Sequence, residues 1–121
     1  METIEVQVDK IGSILQFTCI GERSYDTYIQ LIDLIMSELD KDKETKKVLI
    51  DLTKLTGDLS ILERHNVGKY LAEKLPRMIR IAVVSPRNYL VKMIENTAIN
   101  RGVNMFATSD KEEAATWLGN D

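Results

Sequence analysis

Ile4, Val6 and Val8 alternate with Glu5, Gln7 and Asp9, the period-two pattern of a half-buried strand. Lys10-Ile11-Gly12 reads as a tight turn. Ile14 to Ile20 is then a second strand, with Leu15, Phe17 and Cys19 on one face and Gln16 and Thr18 on the other. So short a connection predicts an antiparallel hairpin. From Ser24 to about Leu39 the period lengthens. Ile29, Ile32, Ile35, Met36 and Leu39 share one helical stripe, while Asp26, Gln30, Asp33 and Glu38 lie outside it. The charge run Asp40-Lys41-Asp42-Lys43-Glu44 reads as a solvated helix end and loop.

The stretch from Lys46 to Leu75 organises the rest of the chain. Val48 to Leu52 has the pattern of a buried strand broken by one carboxylate, Asp51. Thr53 to Asp58 is expected to form a loop, with Gly57 supplying backbone angles that other residues resist. Ser60-Ile61-Leu62-Glu63 has the spacing of a capping box, which starts a helix with Leu62, Val67, Leu71 and Leu75 facing inward. Pro76 closes that helix. Ile79, Ile81 and Val83 predict a fourth strand, and Ser85-Pro86 suits a helix start with serine as the cap. Leu90, Val91, Ile94 and Ala98 form the stripe of that helix, and Gly102 stands at its left-handed stop. Val103 to Ala107 is a short fifth strand. Ser109-Asp110-Lys111-Glu112 is a second capping box, opening a last helix that buries Ala114, Trp117 and Leu118.

The order is β-β-α-β-α-β-α-β-α. It predicts one α/β domain over residues 1–121, built on a five-stranded mixed sheet with the first strand antiparallel and the rest parallel. If consecutive strands are neighbours, every helix lands on the same face. Polar residues interrupt most of the strands: Glu5 and Gln7, Gln16 and Thr18, Asp51, Arg80. A sheet covered on both faces reads instead as continuous apolar runs. One face is therefore expected to be well covered and the other thinly covered or wet.

Composition narrows the function without naming it. The 121 residues carry a net charge of −3 with acids and bases intermixed, and no basic block able to neutralise a run of phosphates, so nucleic acid is not the expected partner. No apolar run approaches the ~20 residues that span a bilayer, and METIEVQVDK lacks the apolar core of a signal peptide. A cytoplasmic location is the expectation. Cys19 is the single cysteine, which rules out an internal disulfide, and it reads as a small buried hydrophobe.

Catalytic signatures are missing. His65, the single histidine, has no second His or Cys near it to share a metal, and no nucleophile elbow accompanies it. The glycines form neither a phosphate loop nor a dinucleotide fingerprint. What remains is the junction after the central strand. Asp51, Asp58, Ser60, Glu63 and Arg64 gather there, with Ser85 expected beside them at the end of the next strand. Ser60 has two readings, a phosphorylation site at a helix N-terminus or a plain helix cap. Asp51 is either a site acid or a carboxylate fixing the segment that follows. Arg101 is a secondary candidate, placed to pair with an acid or a helix C-terminus.

The Val48-to-Leu52 strand followed by Asp58-Leu59-Ser60, and the ending Arg101-Gly102-Val103-Asn104, Phe106, Ser109-Asp110, Glu113-Ala114 and Trp117-Leu118, resemble the SpoIIAA-like family. That family is related to STAS domains and more remotely to the CRAL-TRIO fold. STAS domains of the anti-sigma-factor-antagonist type carry a phosphorylated Asp-Ser-Ser/Thr-Gly-Leu-Gly stretch. This chain keeps Asp58, Ser60 and Leu62, but has Leu59 for the first serine and Ile61 and Glu63 for the two glycines. The glycines let a partner approach the backbone, and Glu63 opposes a phosphate on Ser60.

The resemblance implies a non-enzymatic regulatory or protein-interaction module without cofactor or metal, which binds a protein partner or a second copy of itself. Two alternatives accompany it. One is binding of a small anion or an apolar, lipid-like ligand, with Met36, Met78, Met93 and Met105 lining an adaptable cavity. The other is an antagonist switched by phosphorylation at Ser60.

Overall fold

The alternation at the start of the chain closes into the expected hairpin. β1 (Ile4–Ile11) and β2 (Ile14–Glu22) pair antiparallel, placing Val6 opposite Cys19 and Val8 opposite Phe17. The computed structural model describes residues 4–87 and 92–119. α1 (Tyr25–Lys41), β3 (Lys47–Thr56), α2 (Ile61–Lys74), β4 (Arg80–Val84), α3 (Lys92–Ile99), β5 (Asn104–Thr108) and α4 (Lys111–Leu118) follow. The strands lie in the order β1-β2-β3-β4-β5, with β2 to β5 mutually parallel. This is the mixed sheet that the element order predicts.

Three crossover helices, α1, α2 and α3, pack on one face. Their core joins Phe17, Ile35, Val48, Ile81 and Ala98 among others. Gly68 of α2 lies against α3 so closely that a Cβ there would sit 2.7 Å from Thr97 Cβ. α4 breaks the single-face expectation. It is no crossover, since no strand follows it, so right-handed connection does not bind it to that side. It folds beneath the sheet, where Ala114 and Leu118 bury Leu49, Ala82 and Val84. Arg80, expected as a wet insertion, lies under it instead. Its guanidinium sits 4.5 Å from the Trp117 ring and donates to the carbonyls of Trp117 and Leu118, the last turn of α4. Phe106 stacks on Trp117 at 5.5 Å. α4 packs beneath β3, β4 and β5; under β1 and β2, Glu5, Gln7 and Ile20 stay exposed. The second face is half covered, and of the polar insertions expected there Gln16 is buried as well.

Other departures have local causes. In α1 the buried set centres on Tyr28, Leu31, Ile32, Ile35 and Leu39, leaving Ile29 and Met36 half-buried at its flank. Leu62 is 67% exposed rather than inward. At about 100° per residue it lies roughly half a turn round the helix from Leu71, and the inner stripe of α2 is Val67, Gly68 and Leu71. The last helix is capped by Asp110, not Ser109; Asp110 accepts from the amides of Glu112 and Glu113. Gly102 adopts φ +97, as a helix stop requires. Ser85 is fully buried, with its amide donating to the Thr108 carbonyl. Pro86, expected as the first helical position with Ser85 as its cap, is not helical, and Arg87 is in a turn; Leu90 and Val91 lie outside the described residues. At the β5 edge, Glu95 accepts from the Ala107 amide at 2.7 Å while Lys92 donates to the Ala107 carbonyl at 2.9 Å. These two side chains occupy backbone groups that would otherwise recruit another strand.

Candidate functional site

β3 does not end where its apolar run ends. It continues to Thr56, so Thr53 to Thr56, expected as loop, belong to the strand. The β2–β3 ladder slips by one residue here: Thr18 faces Asp51, but Ile20 faces Lys54. The extra residue in β3 is a bulge. Asp51 holds it, its Oδ1 accepting from the Thr53 amide at 2.9 Å and the Thr53 hydroxyl at 2.6 Å. Strict alternation after Ile50 and Leu52 would turn Lys54 and Thr56 inward. The bulge shifts the phase and buries Leu55 instead.

Beyond Thr56 the chain turns at Gly57, whose φ of +82 excludes most side chains and whose Cα faces Glu22 and the Arg23 backbone. Arg23 is the organising residue of this turn. It is 6% exposed, and its guanidinium donates to the carbonyls of Leu55 at 3.0 Å, Gly57 at 3.1 Å and Leu52 at 3.4 Å. Its own amide donates to the Thr56 carbonyl at 2.6 Å. Sequence reasoning passed over Arg23. A lone arginine between a strand and a helix reads as solvated, and only the Glu22-Arg23-Ser24 break in apolar pattern marked the spot.

Ser60 then caps α2 as its spacing predicts. Its Oγ accepts from the Glu63 amide at 3.1 Å, and Glu63 Oε1 accepts from the Ser60 amide at 2.9 Å. Asp58 Oδ1 accepts from its neighbour's amide, Leu59, at 2.8 Å and pairs with Arg64 Nη2 at 2.7 Å. Asp58, Ser60, Glu63 and Arg64 are thus one connected turn, with Asp58 and Ser60 exposed and Glu63 and Arg64 half-buried. Beside it stand Ile61 and Leu62, 69% and 67% exposed, while Leu59 anchors the turn in the core.

The remaining candidates lie elsewhere. Asp51 is bound to Thr53 in the body of β3, and Val84, immediately before Ser85, is its register partner in β4. Five further residues of β3 separate this pair from the α2 turn. Arg101 is exposed at the opposite edge of the sheet, in the α3–β5 turn.

His65 Nδ1 lies 3.4 Å from Thr97 Oγ1, a link between α2 and α3. Among the described residues no group of three or more His, Cys, Asp or Glu is placed to hold a metal. Burial, with a smaller contribution from the nearby Asp51 charge, pushes the Cys19 thiol up to about 12, so it stays protonated and unreactive. An apolar cavity of about 30 Å³ lies between the helices and the sheet, lined by Tyr28, Ile35, Leu71, Ile81 and Met105 among others. That is about one water-sized sphere. Of the methionines expected to line a cavity, Met105 does so, Met36 is half-buried, and Met78 and Met93 are exposed.

The profile of the SpoIIAA-like family matches residues 14–119. The chain belongs to the SpoIIAA-like family. No curated protein matches it. Among solved structures it is similar to an anti-sigma factor antagonist from Mycobacterium paratuberculosis, with a TM-score of 0.67 and 17% identity over 97% of this chain and 95% of the other. It is also similar to an uncharacterised protein with a SpoIIAA-like fold from Shewanella loihica, with a TM-score of 0.53 and 21% identity over 98% and 95%. At these identities the likeness is one of fold. In this SpoIIAA-like chain no helix of the described residues is long and apolar enough to cross a membrane.

Proposed function

We propose that this SpoIIAA-like protein is a non-enzymatic regulatory module that binds a protein partner through the turn from Asp58 to Arg64. One observation carries the reading: Ile61 and Leu62 are both about two-thirds exposed on a turn that is otherwise fully tied down. Two adjacent solvated aliphatic side chains on a rigid support are a preorganised apolar anchor, with Asp58, Glu63 and Arg64 as a polar rim. The likeness to an anti-sigma factor antagonist supports a regulatory role of this kind.

A phosphorylation switch at Ser60 is less favoured, because the Glu63 carboxylate is already hydrogen-bonded to the Ser60 amide, where it repels an added phosphate. The cavity in the core, about 30 Å³, is too small for a lipid-like ligand. The test is a photo-crosslinking residue placed at position 62 in the source cell, with a control at exposed Lys54. A discrete crosslinked species at 62, absent from the control and abolished by Ile61→Asp, is expected. Crosslinking no different from the control overturns the reading.

A further inference from the structure

At one edge of the sheet a cluster of cations stands beside the mixed charges of Asp40 to Glu44. At the edge formed by the N-terminal ends of the parallel strands, three neighbouring loops present Lys46, Arg77 and Arg101, all exposed. The Arg77 guanidinium lies against Gly102, where a Cβ would sit 2.8 Å from Nη1, so the α2–β4 and α3–β5 loops touch. The Arg80 amide donates to the Lys46 carbonyl at 2.8 Å, which joins the third loop to them. No carboxylate occurs from Pro76 to Arg80 or from Ile99 to Asn104. Among the described residues Arg77 and Arg101 have no acidic partner. Close in the chain to Arg77 and Arg101 are Met78, 65% exposed, and Ile99, 44% exposed. The opposite edge carries Glu22, Asp26, Asp58, Glu63, Glu112 and Glu113, with Arg64 and Lys111 among them.

We infer that the Lys46–Arg77–Arg101 edge docks on an anionic lipid bilayer, with Met78 and Ile99 entering the interface. Charge complementarity selects an anionic partner, and the apolar tips select one with an apolar interior. The shape selects a fluid surface over a peptide. Met78 stands in the α2–β4 turn and Ile99 ends α3, and none of the described cavities is lined by these residues. The acidic edge then faces away from the membrane, leaving the Asp58–Arg64 turn open to the solvent side.

The experiment is co-sedimentation with vesicles of phosphatidylcholine and phosphatidylglycerol, about three to one. A second readout uses an environment-sensitive fluorophore on Met78→Cys. Cys19 is buried and does not compete for the label. Binding at low salt is expected, with none to pure phosphatidylcholine, and loss in about 1 M salt, where charges are screened within about 3 Å. Arg77→Glu/Arg101→Glu should weaken partitioning at least about tenfold, and the fluorophore should shift to the blue on the anionic vesicles alone. Because Arg77 also packs on Gly102, Lys46→Glu/Arg101→Glu provides a variant that leaves that contact intact. The inference is overturned by no binding to anionic vesicles, by binding that survives both charge reversals, by a fluorophore that stays in water, or by an edge that instead mediates self-association or binds polyglutamate in preference to vesicles.

Discussion

Arg23 Nη1 reaches the Gly57 carbonyl at 3.1 Å while also donating to Leu55 at 3.0 Å, so one buried cation ties the end of β3 to the turn that follows it. A buried guanidinium needs partners for its donors, and here backbone carbonyls take those of Nη1 and Nη2. Arg23→Met keeps much of the stem volume and removes those bonds. It should cost about 2–4 kcal/mol in urea unfolding. Amide exchange over residues 58–64 should rise more than that of the β4 amides. Uniform loss across both would show that Arg23 serves global packing alone.

Asp51 is predicted to act on strand register. Asp51→Ala removes two acceptor contacts that hold the bulge at Thr53, and about 1–2 kcal/mol of stability should go with them. Because the bulge sets which of Lys54 and Leu55 faces the core, chemical-shift changes should concentrate at residues 52–56 and at their partners Ile20 to Glu22. Changes confined to residue 51 itself would contradict this role.

Ser60 should behave as a cap. Ser60→Ala loses the acceptor for the Glu63 amide and should lower stability by about 1 kcal/mol, whereas Ser60→Asp, an equally good cap, should stay within about 0.5 kcal/mol of the native protein. A stability loss in Ser60→Asp as large as in Ser60→Ala would count against the capping role.

The Lys10–Asp42 pair ties the hairpin to the α1–β3 loop, with Thr45 Oγ1 donating to Asp42 at 2.8 Å. The hydrogen bond from Lys10, then that from Thr45, holds the Asp42 carboxyl down to about 2 from its usual 3.8. A lowered folded-state value means stability that is fully present above about pH 4 and is lost as pH falls towards 2. Lys10→Met should flatten the fall of the urea midpoint between pH 4 and pH 2. An unchanged slope would remove Asp42 from acid unfolding.

Much of the fold was legible because it follows from local periodicity. Alternation at Ile4 to Val8, the helical stripe around Ile32 and Ile35, and the Ser60–Glu63 spacing each specify their element without reference to the rest of the chain. Element order then specified the strand pairing, since right-handed crossovers leave few alternatives. The Asp58–Arg64 turn was visible for the same reason: its bonds span six residues or fewer. The exposure of Leu62 was also readable in principle, from its angular offset to Leu71.

Long-range contact decided the remainder. Arg23 gains its role from carbonyls 29 to 34 residues away, brought within reach only when β2 and β3 pair. The bulge at Thr53 exists because β3 has a partner against which to slip. α4 covers the second face because Ala82 and Val84 are apolar on the side that no crossover helix reaches. The basic edge arises from three loops that topology sets side by side. Periodicity along a chain reports what each residue does within one or two turns; which distant residues become neighbours is settled when the sheet assembles.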